Sequence, residues 1–172
     1  MIEKVSHFLA VKIHNANPDT DKKESVEVLL YSLSITLNYL LILFFSLLIG
    51  FLTNKFAETI VAMISFIALR IFSKGYHAKT LTTCFVLTTA IIAVIPHVPV
   101  REYTSITNIL NVILVLIFAP NGSFEEGTIS KSRARLLKGA SVLIVASNFL
   151  MSSQVVALSF LIQSLLLIPK RR

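Results

Sequence analysis

The sequence predicts an all-α integral membrane protein, with about six transmembrane helices behind an N-terminal amphipathic helix. Three observations predict it. Hydrophobic residues fill 55% of the 172 positions and charged residues only 15%, where a soluble domain carries roughly a quarter charged residues. Several nearly uncharged stretches approach the ~18–20 residues that span a bilayer. The cations behind the net charge of +7 stand beside those stretches, a placement that orients a chain in a lipid bilayer rather than on nucleic acid. No nucleic-acid partner is expected. Met1–Lys12 interleaves charges with apolar residues and has no small-residue cleavage site, so it does not read as a cleavable signal.

The elements follow in order. Residues 1–16 set Ile2, Val5, Leu9 and Ile13 on one helical face with Phe8 beside them, while Glu3, Lys4, His7, Lys12 and His14 cover most of the rest. That is a surface-lying amphipathic helix. Asn17-Pro18-Asp19-Thr20 breaks it and offers a cap for the next helix. Candidate spans then run over 26–52, 56–72, 80–96, 103–119, 139–151 and 153–169, all within one membrane domain, 1–172. The first ends at Thr53-Asn54-Lys55, and the second carries Glu58 and Arg70 near its ends. The third stops at Pro96-His97-Val98-Pro99, and the fourth at Pro120-Asn121-Gly122. Glu125, Glu126, Lys131, Arg133, Arg135 and Lys138 read as a polar loop. The apolar stretch after it is too long for one span and is interrupted by Ser152-Ser153-Gln154. Two helices joined by a tight turn are expected there.

The basic residues choose among topologies. With six spans and an inside N-terminus, the inside segments hold Lys4, Lys12, Lys22, Lys23, Lys74, Lys79, Lys131, Arg133, Arg135, Lys138 and Lys170-Arg171-Arg172. Only Lys55 and Arg101 fall outside. This is the positive-inside pattern, and a five-span chain would break it at the C-terminus. The expectation is a multi-pass cell-membrane protein with both termini in the cytoplasm.

The chemistry is concentrated where the second and third spans meet. The single cysteine, Cys84, follows His77 by seven residues in Arg70-Ile71-Phe72-Ser73-Lys74-Gly75-Tyr76-His77-Ala78-Lys79-Thr80-Leu81-Thr82-Thr83-Cys84. One cysteine forms no internal disulfide, and in a cytoplasmic-facing segment it stays reduced. A thiolate is a strong nucleophile, and a neighbouring imidazole can deprotonate the thiol. Lys74, Lys79 and Arg70 add positive potential that favours the thiolate. On one unbroken helix the two side chains would be about 10 Å apart along the axis, so a catalytic pair requires the segment to fold back. Gly75 allows the turn, and Thr80, Thr82 or Thr83 can cap a helix starting after His77. On residue types alone the bland reading stands beside this one: a lone membrane cysteine is usually a small apolar filler, and a loop histidine an interfacial polar residue.

The segment Arg70…Gly75-Tyr76-His77-Ala78…Cys84 resembles the core motif of the accessory gene regulator B (AgrB) family. The chain length, the six apolar segments, the amphipathic N-terminus and Ala119-Pro120 after the fourth span are similar to that family too, so the resemblance covers essentially the whole chain. It implies an integral-membrane cysteine endopeptidase that processes a quorum-sensing propeptide, with His77 and Cys84 catalytic and Arg70 a required neighbour. It also implies that the enzyme thioester is attacked by a side chain of the peptide itself, giving a thiolactone or lactone. The partner would be an AgrD-like propeptide, and no cofactor or metal is implied. Two departures stand out. Lys74 occupies the place of the first of the family's usual paired glycines, and the loop after Pro120 lacks the Asp and Asn-Lys-Pro features common there.

Other polar residues weigh less. His7 and His14 lie seven apart on the amphipathic helix and read as interfacial, and His97 stands between two prolines with no evident partner. Asn38, Asn108, Asn111 and Gln163 fall within spans, where interhelical hydrogen bonds are their usual work. Arg70 would be costly facing lipid and should point to the interface or the site. The cluster from Lys131 to Lys138 suits anionic lipid. Asp and Glu are absent around His77, so a dyad is the default. The rival reading is a non-catalytic peptide exporter or carrier, with a membrane scaffold third. A homodimer is compatible with short, mutually packed spans.

Overall fold

The computed structural model describes residues 2–16, 25–74, 80–120 and 130–168. Among them every regular element is helical: α1 (Ile2–Ala16), α2 (Val26–Leu52), α3 (Phe56–Ser73), α4 (Leu81–Val94), α5 (Thr104–Phe118), α6 (Lys131–Met151) and α7 (Gln154–Leu165). Single 3-10 turns extend α4 through Ile95–His97 and precede α5 at Arg101–Tyr103. Four helices are long and apolar enough to cross a bilayer, namely α2, α3, α5 with its leading turn, and α6. Leu81–His97 and Gln154–Leu165 are apolar but shorter. The protein is thus an all-helical membrane protein. Large apolar side chains such as Phe51, Leu143 and Leu150 point outward, a placement that lipid rewards and water would punish.

Local chemistry sets the element ends. Ser25, Thr80, Ser130 and Ser153 sit at N-caps, each accepting a backbone N–H two or three residues into its helix. Between α2 and α3, Asn54 takes a left-handed backbone (φ 56°), which asparagine tolerates. α2 is 27 residues, about 40 Å at 1.5 Å per residue, so it exceeds a hydrocarbon core of about 30 Å. It buries Ser34, Asn38, Ile42, Ser46 and Gly50, one residue in four along a single line. Small residues there let backbones approach closely. At Gly50 a Cβ would stand 2.5 Å from Thr59 Oγ1 of α3, so alanine at this position would force the α2–α3 hairpin apart.

Two apolar clusters share α3. One joins Leu69 to Val115 of α5, Val145 of α6, and Val156 and Phe160 of α7. The other joins Ala62 and Met63 to Ile42 of α2, Ile92 of α4 and Val155 of α7. α1 docks through Ile2, Ser6 and Ala10, leaving Val5, Phe8 and Ile13 exposed. Ser6 and Ala10 bring the backbones close beside Ile2, and Val5, Phe8 and Ile13 are left for lipid.

α6 departs from the sequence expectation. Lys131, Arg133, Arg135 and Lys138, expected in a polar loop, form its first two turns. No glycine or proline falls between Ser130 and Lys138, and Lys, Arg, Ala and Leu all favour helix. Cations at a helix N-terminus oppose its dipole, but their long stems carry the charges toward a headgroup layer. α6 ends at Ser152, which is left-handed (φ 49°, ψ 33°). The fully buried Asn148 fixes the turn: its Nδ2 donates to Ser153 O (3.0 Å) and to Asn108 Oδ1 (2.9 Å), and its Oδ1 accepts the Ser153 N–H (3.1 Å). These bonds supply what water would supply to an exposed turn.

Candidate active site

Cys84 stands one turn into α4. Its backbone N–H donates to Thr80 O (3.0 Å), the Thr80 side chain accepts the Thr83 N–H (3.2 Å), and Thr80 itself is extended (φ −125°, ψ 149°). The helix carrying Cys84 therefore does not run back to His77. The first of the three expected capping threonines is the one that caps. Glu3 of α1 reaches the same helix end, its Oε1 accepting the Leu81 N–H at 3.3 Å. Its own backbone N–H, with a smaller contribution from Leu81, holds the Glu3 carboxyl below the usual carboxylate range. A depressed carboxylate keeps this α1–α4 tie at neutral pH and loses it as pH falls below that range.

The thiol is half-buried and faces a cavity of about 340 Å³ between α2, α3 and α4. Asn38, Tyr31 and Tyr39 of α2, Phe66 and Arg70 of α3, and Thr88 of α4 share its walls with Cys84. Cys84 Sγ lies 4.0 Å from Asn38 Nδ2 and 4.0 Å from Thr88 Oγ1. A second cavity of about 580 Å³ adjoins along α2 and α3, sharing Tyr39, Ile42, Ile67 and Arg70 and reaching Lys74. The two form one groove, with Cys84 at one wall and Arg70 between its lobes. Tyr31 and Tyr39 are exposed, so the α2 side of the groove is aromatic.

The end of α3 is held from across the bundle. Arg70 Nη1 donates to Gln163 Oε1 of α7 (3.3 Å), and its guanidinium lies 5.8 Å from the centre of the Phe66 ring. Gln163 Nε2 donates to Ser73 Oγ (3.3 Å) and to Lys74 O (2.6 Å). Lys74 then leaves the helix with φ 64° and ψ −137°, a backbone region that glycine enters at no steric cost and lysine does not. The family-type glycine is missing from the sequence here, but the glycine-type backbone is present.

The structure thus brings Arg70 and Cys84 to one cavity and Arg70 and Lys74 to the next. Gly75, His77 and Lys79 lie outside the described residues. Asn38 is the residue that sequence reasoning set aside as an interhelical tie. The sequence holds the four-residue spacing of Ser34, Asn38, Ile42, Ser46 and Gly50 on α2, but that Asn38 faces the helix carrying the thiol comes from the register of α2 on α4.

Comparison with known proteins fits this arrangement. The family model for accessory gene regulator B matches residues 6–168, a span that includes the whole groove. A curated protein of Halalkalibacterium halodurans, named "Putative AgrB-like protein", is 29% identical over 175 residues, covering 98% of this chain and 88% of the relative. No solved structure matches the chain. With the family match running through all seven helices, the chain belongs to the accessory gene regulator B family.

Proposed function

We propose that this chain is a membrane cysteine endopeptidase that cuts a quorum-sensing propeptide at the cytoplasmic face, with Cys84 as nucleophile and His77 as its base. The observation that carries the reading is the half-buried Cys84 thiol on the wall of a cavity it shares with Arg70. A cysteine that merely filled space would be packed, not set against an open groove. His77 is three residues from Thr80, and three residues of chain reach at most about 11 Å. An imidazole there can meet a side chain one turn into α4, and family membership supports the pairing.

The chemistry follows from the groups. His77 takes the Cys84 proton, and Sγ attacks the scissile carbonyl carbon. The C–N bond breaks as the imidazolium protonates the leaving amine, leaving the N-terminal portion of the precursor as a thioester on Sγ. A thiol or hydroxyl within that portion then attacks the thioester, giving up its proton to His77. Sγ leaves, and a thiolactone or lactone forms. Exchange of one thioester for another is close to isoenergetic, and a groove lined by Ile, Phe and Tyr side chains holds back competing water. Six crossings with both termini cytoplasmic would put the α3–α4 connection inside, as the distribution of lysine and arginine favours.

Coexpression with an AgrD-like precursor, followed by mass spectrometry of the peptide, tests the reading. Wild type should release a peptide smaller than the uncleaved precursor, and Cys84→Ser should release none at equal abundance in the membrane. Near-normal cleavage by Cys84→Ser would end the peptidase proposal, and peptide exported uncut would favour a carrier.

A further inference from the structure

We propose that Asn38 is a catalytic residue of the peptidase described above: its side-chain amide donates a hydrogen bond to the scissile carbonyl oxygen as that oxygen becomes an anion on Cys84. The proposal rests on Cys84 being the nucleophile.

Five amide side chains are buried among the described residues of α2 to α7. Four are tied to neighbouring helices. Asn148 bonds Asn108, Asn111 Nδ2 donates to Ala157 O at 2.9 Å, and Gln163 holds the end of α3. Asn38 is different. It is 5% exposed, and its Nδ2 faces no oxygen acceptor but Cys84 Sγ at 4.0 Å, while its Oδ1, like that of Asn111, has no partner among the described residues. A buried carbonyl left unpaired costs about 1–3 kcal/mol; Asn111 offsets that with an interhelical bond of 2.9 Å, and Asn38 has only the 4.0 Å approach to the thiol. A nonpolar residue would fill the stripe on α2 at no such cost.

Donor chemistry then selects the role. A thiolate and an oxyanion only accept hydrogen bonds, so the amide nitrogen is the end that must face them. With Sγ bonded to the carbonyl carbon, the oxyanion would lie about 2.7 Å from Sγ, and a stabilising donor belongs about 2.7–3.1 Å from that oxygen. A nitrogen 4.0 Å from Sγ meets both conditions on the groove side of the thiol. Nor can the usual backbone donors serve. The N–H groups of Leu81, Thr83 and Cys84 are engaged by Glu3 Oε1, Thr80 Oγ1 and Thr80 O. Those three amides of the first turn of α4 are thus occupied, and the cavity offers Asn38 as a donor from the opposite wall. Asn38 is neutral, so burying it for this purpose leaves no unpaired charge in the bilayer.

The levels agree as well. Asn38 stands 14 residues before the end of α2 at Leu52, and Cys84 13 residues before His97. At 1.5 Å per residue both are about 20 Å from the same end of the bundle.

Purified full-length chain in liposomes, given an AgrD-like precursor, tests this with Asn38→Ala and the nearly isosteric Asn38→Asp. Removing one oxyanion donor should lower kcat by about 10²–10³-fold, with KM within about threefold of wild type. Aspartate should be no better than alanine, because a carboxylate repels the oxyanion. The second readout is the rate of Cys84 alkylation by iodoacetamide, a displacement at a saturated carbon that develops no carbonyl anion. That rate should stay within about threefold of wild type in Asn38→Ala, whereas the carboxylate of Asn38→Asp, about 4 Å from Sγ, disfavours the thiolate and slows alkylation as well. Asn38→Ala cleaving within threefold of wild type would overturn the proposal. So would alkylation falling in step with cleavage in Asn38→Ala, which would make Asn38 a prop for the thiol and not a donor to substrate. Cleavage surviving in Cys84→Ser would instead remove the peptidase reading, and the donor role with it.

Discussion

The two sides of α3 use buried polar groups in opposite ways. Toward α5, α6 and α7 each buried amide makes a hydrogen bond of 3.3 Å or less to a neighbouring element, and the apolar cluster around Leu69, Val145 and Phe160 fills the space between. Toward α2 and α4 an open groove lies beside the cluster of Ile42, Met63 and Ile92, and the buried amide there faces a thiol at 4.0 Å. One side is fastened and the other is kept open. In a membrane, where lipid tails match the apolar residues of both sides, hydrogen bonds and close packing must supply helix adhesion. The α5–α7 side supplies them, and the α2–α4 side keeps space beside the Cys84 thiol. Arg70 and Gln163 join the two, the arginine at the groove and the glutamine in the fastened half.

The comparison can be broken first at Arg70. A guanidinium that stacks near Phe66, bonds Gln163 and lines both lobes of the groove uses its planar fork, which an ammonium cannot copy. If it grips a carboxylate of the peptide, Arg70→Lys should lose nearly as much precursor cleavage as Arg70→Ala, about 10²-fold for substrate misplaced by an ångström or so. Cys84 alkylation by iodoacetamide should change little in either. Lysine retaining most of the activity would make Arg70 a source of positive potential only.

Asn148 tests the fastened side. Asn148→Leu leaves Asn108 Oδ1 and the Ser153 backbone unpaired, and should destabilise the chain by about 1–3 kcal/mol, read from thermal or SDS unfolding in detergent. Cleavage per folded molecule should be unchanged. A specific loss of activity at normal stability would show that the two sides are not separable in this way.

The smallest expected effect is at the junction. Lys74→Gly should relieve a backbone strain of order 1 kcal/mol, partly offset by the freer unfolded chain that glycine brings. Unfolding should shift upward by less than about 1 kcal/mol, with cleavage equal to or slightly above wild type. A fall in both would mean that the lysine side chain matters more than its φ of 64°.

How far the sequence led differs between these regions for physical reasons. Apolar runs and punctuation at Thr53–Lys55, Pro96–Pro99 and Ser152–Ser153 marked where helices end, because capping and turn chemistry are local. The start of α6 differs from expectation: the charges at Lys131–Lys138 read as a loop signal, while the helix propensity of the same residues decides the backbone. Cys84 and Arg70 announced themselves by residue type and motif. Asn38 did not, since an amide in a span looks the same whether it ties helices or faces a thiol. Only the register of α2 on α4 separates the two. The clasp of Gln163 on Ser73 and Lys74 is likewise a contact across about ninety residues that no local pattern encodes.

The central claim is that Cys84 carries the acyl group, and intact-mass analysis of the acid-quenched reaction tests it most directly. Reconstituted wild type mixed with an AgrD-like precursor should show a species heavier by the N-terminal portion of the precursor less one water, mapped to Cys84 and released by neutral hydroxylamine. The adduct should be absent from Cys84→Ser. Precursor consumed while Cys84 remains free and alkylatable throughout would contradict the account.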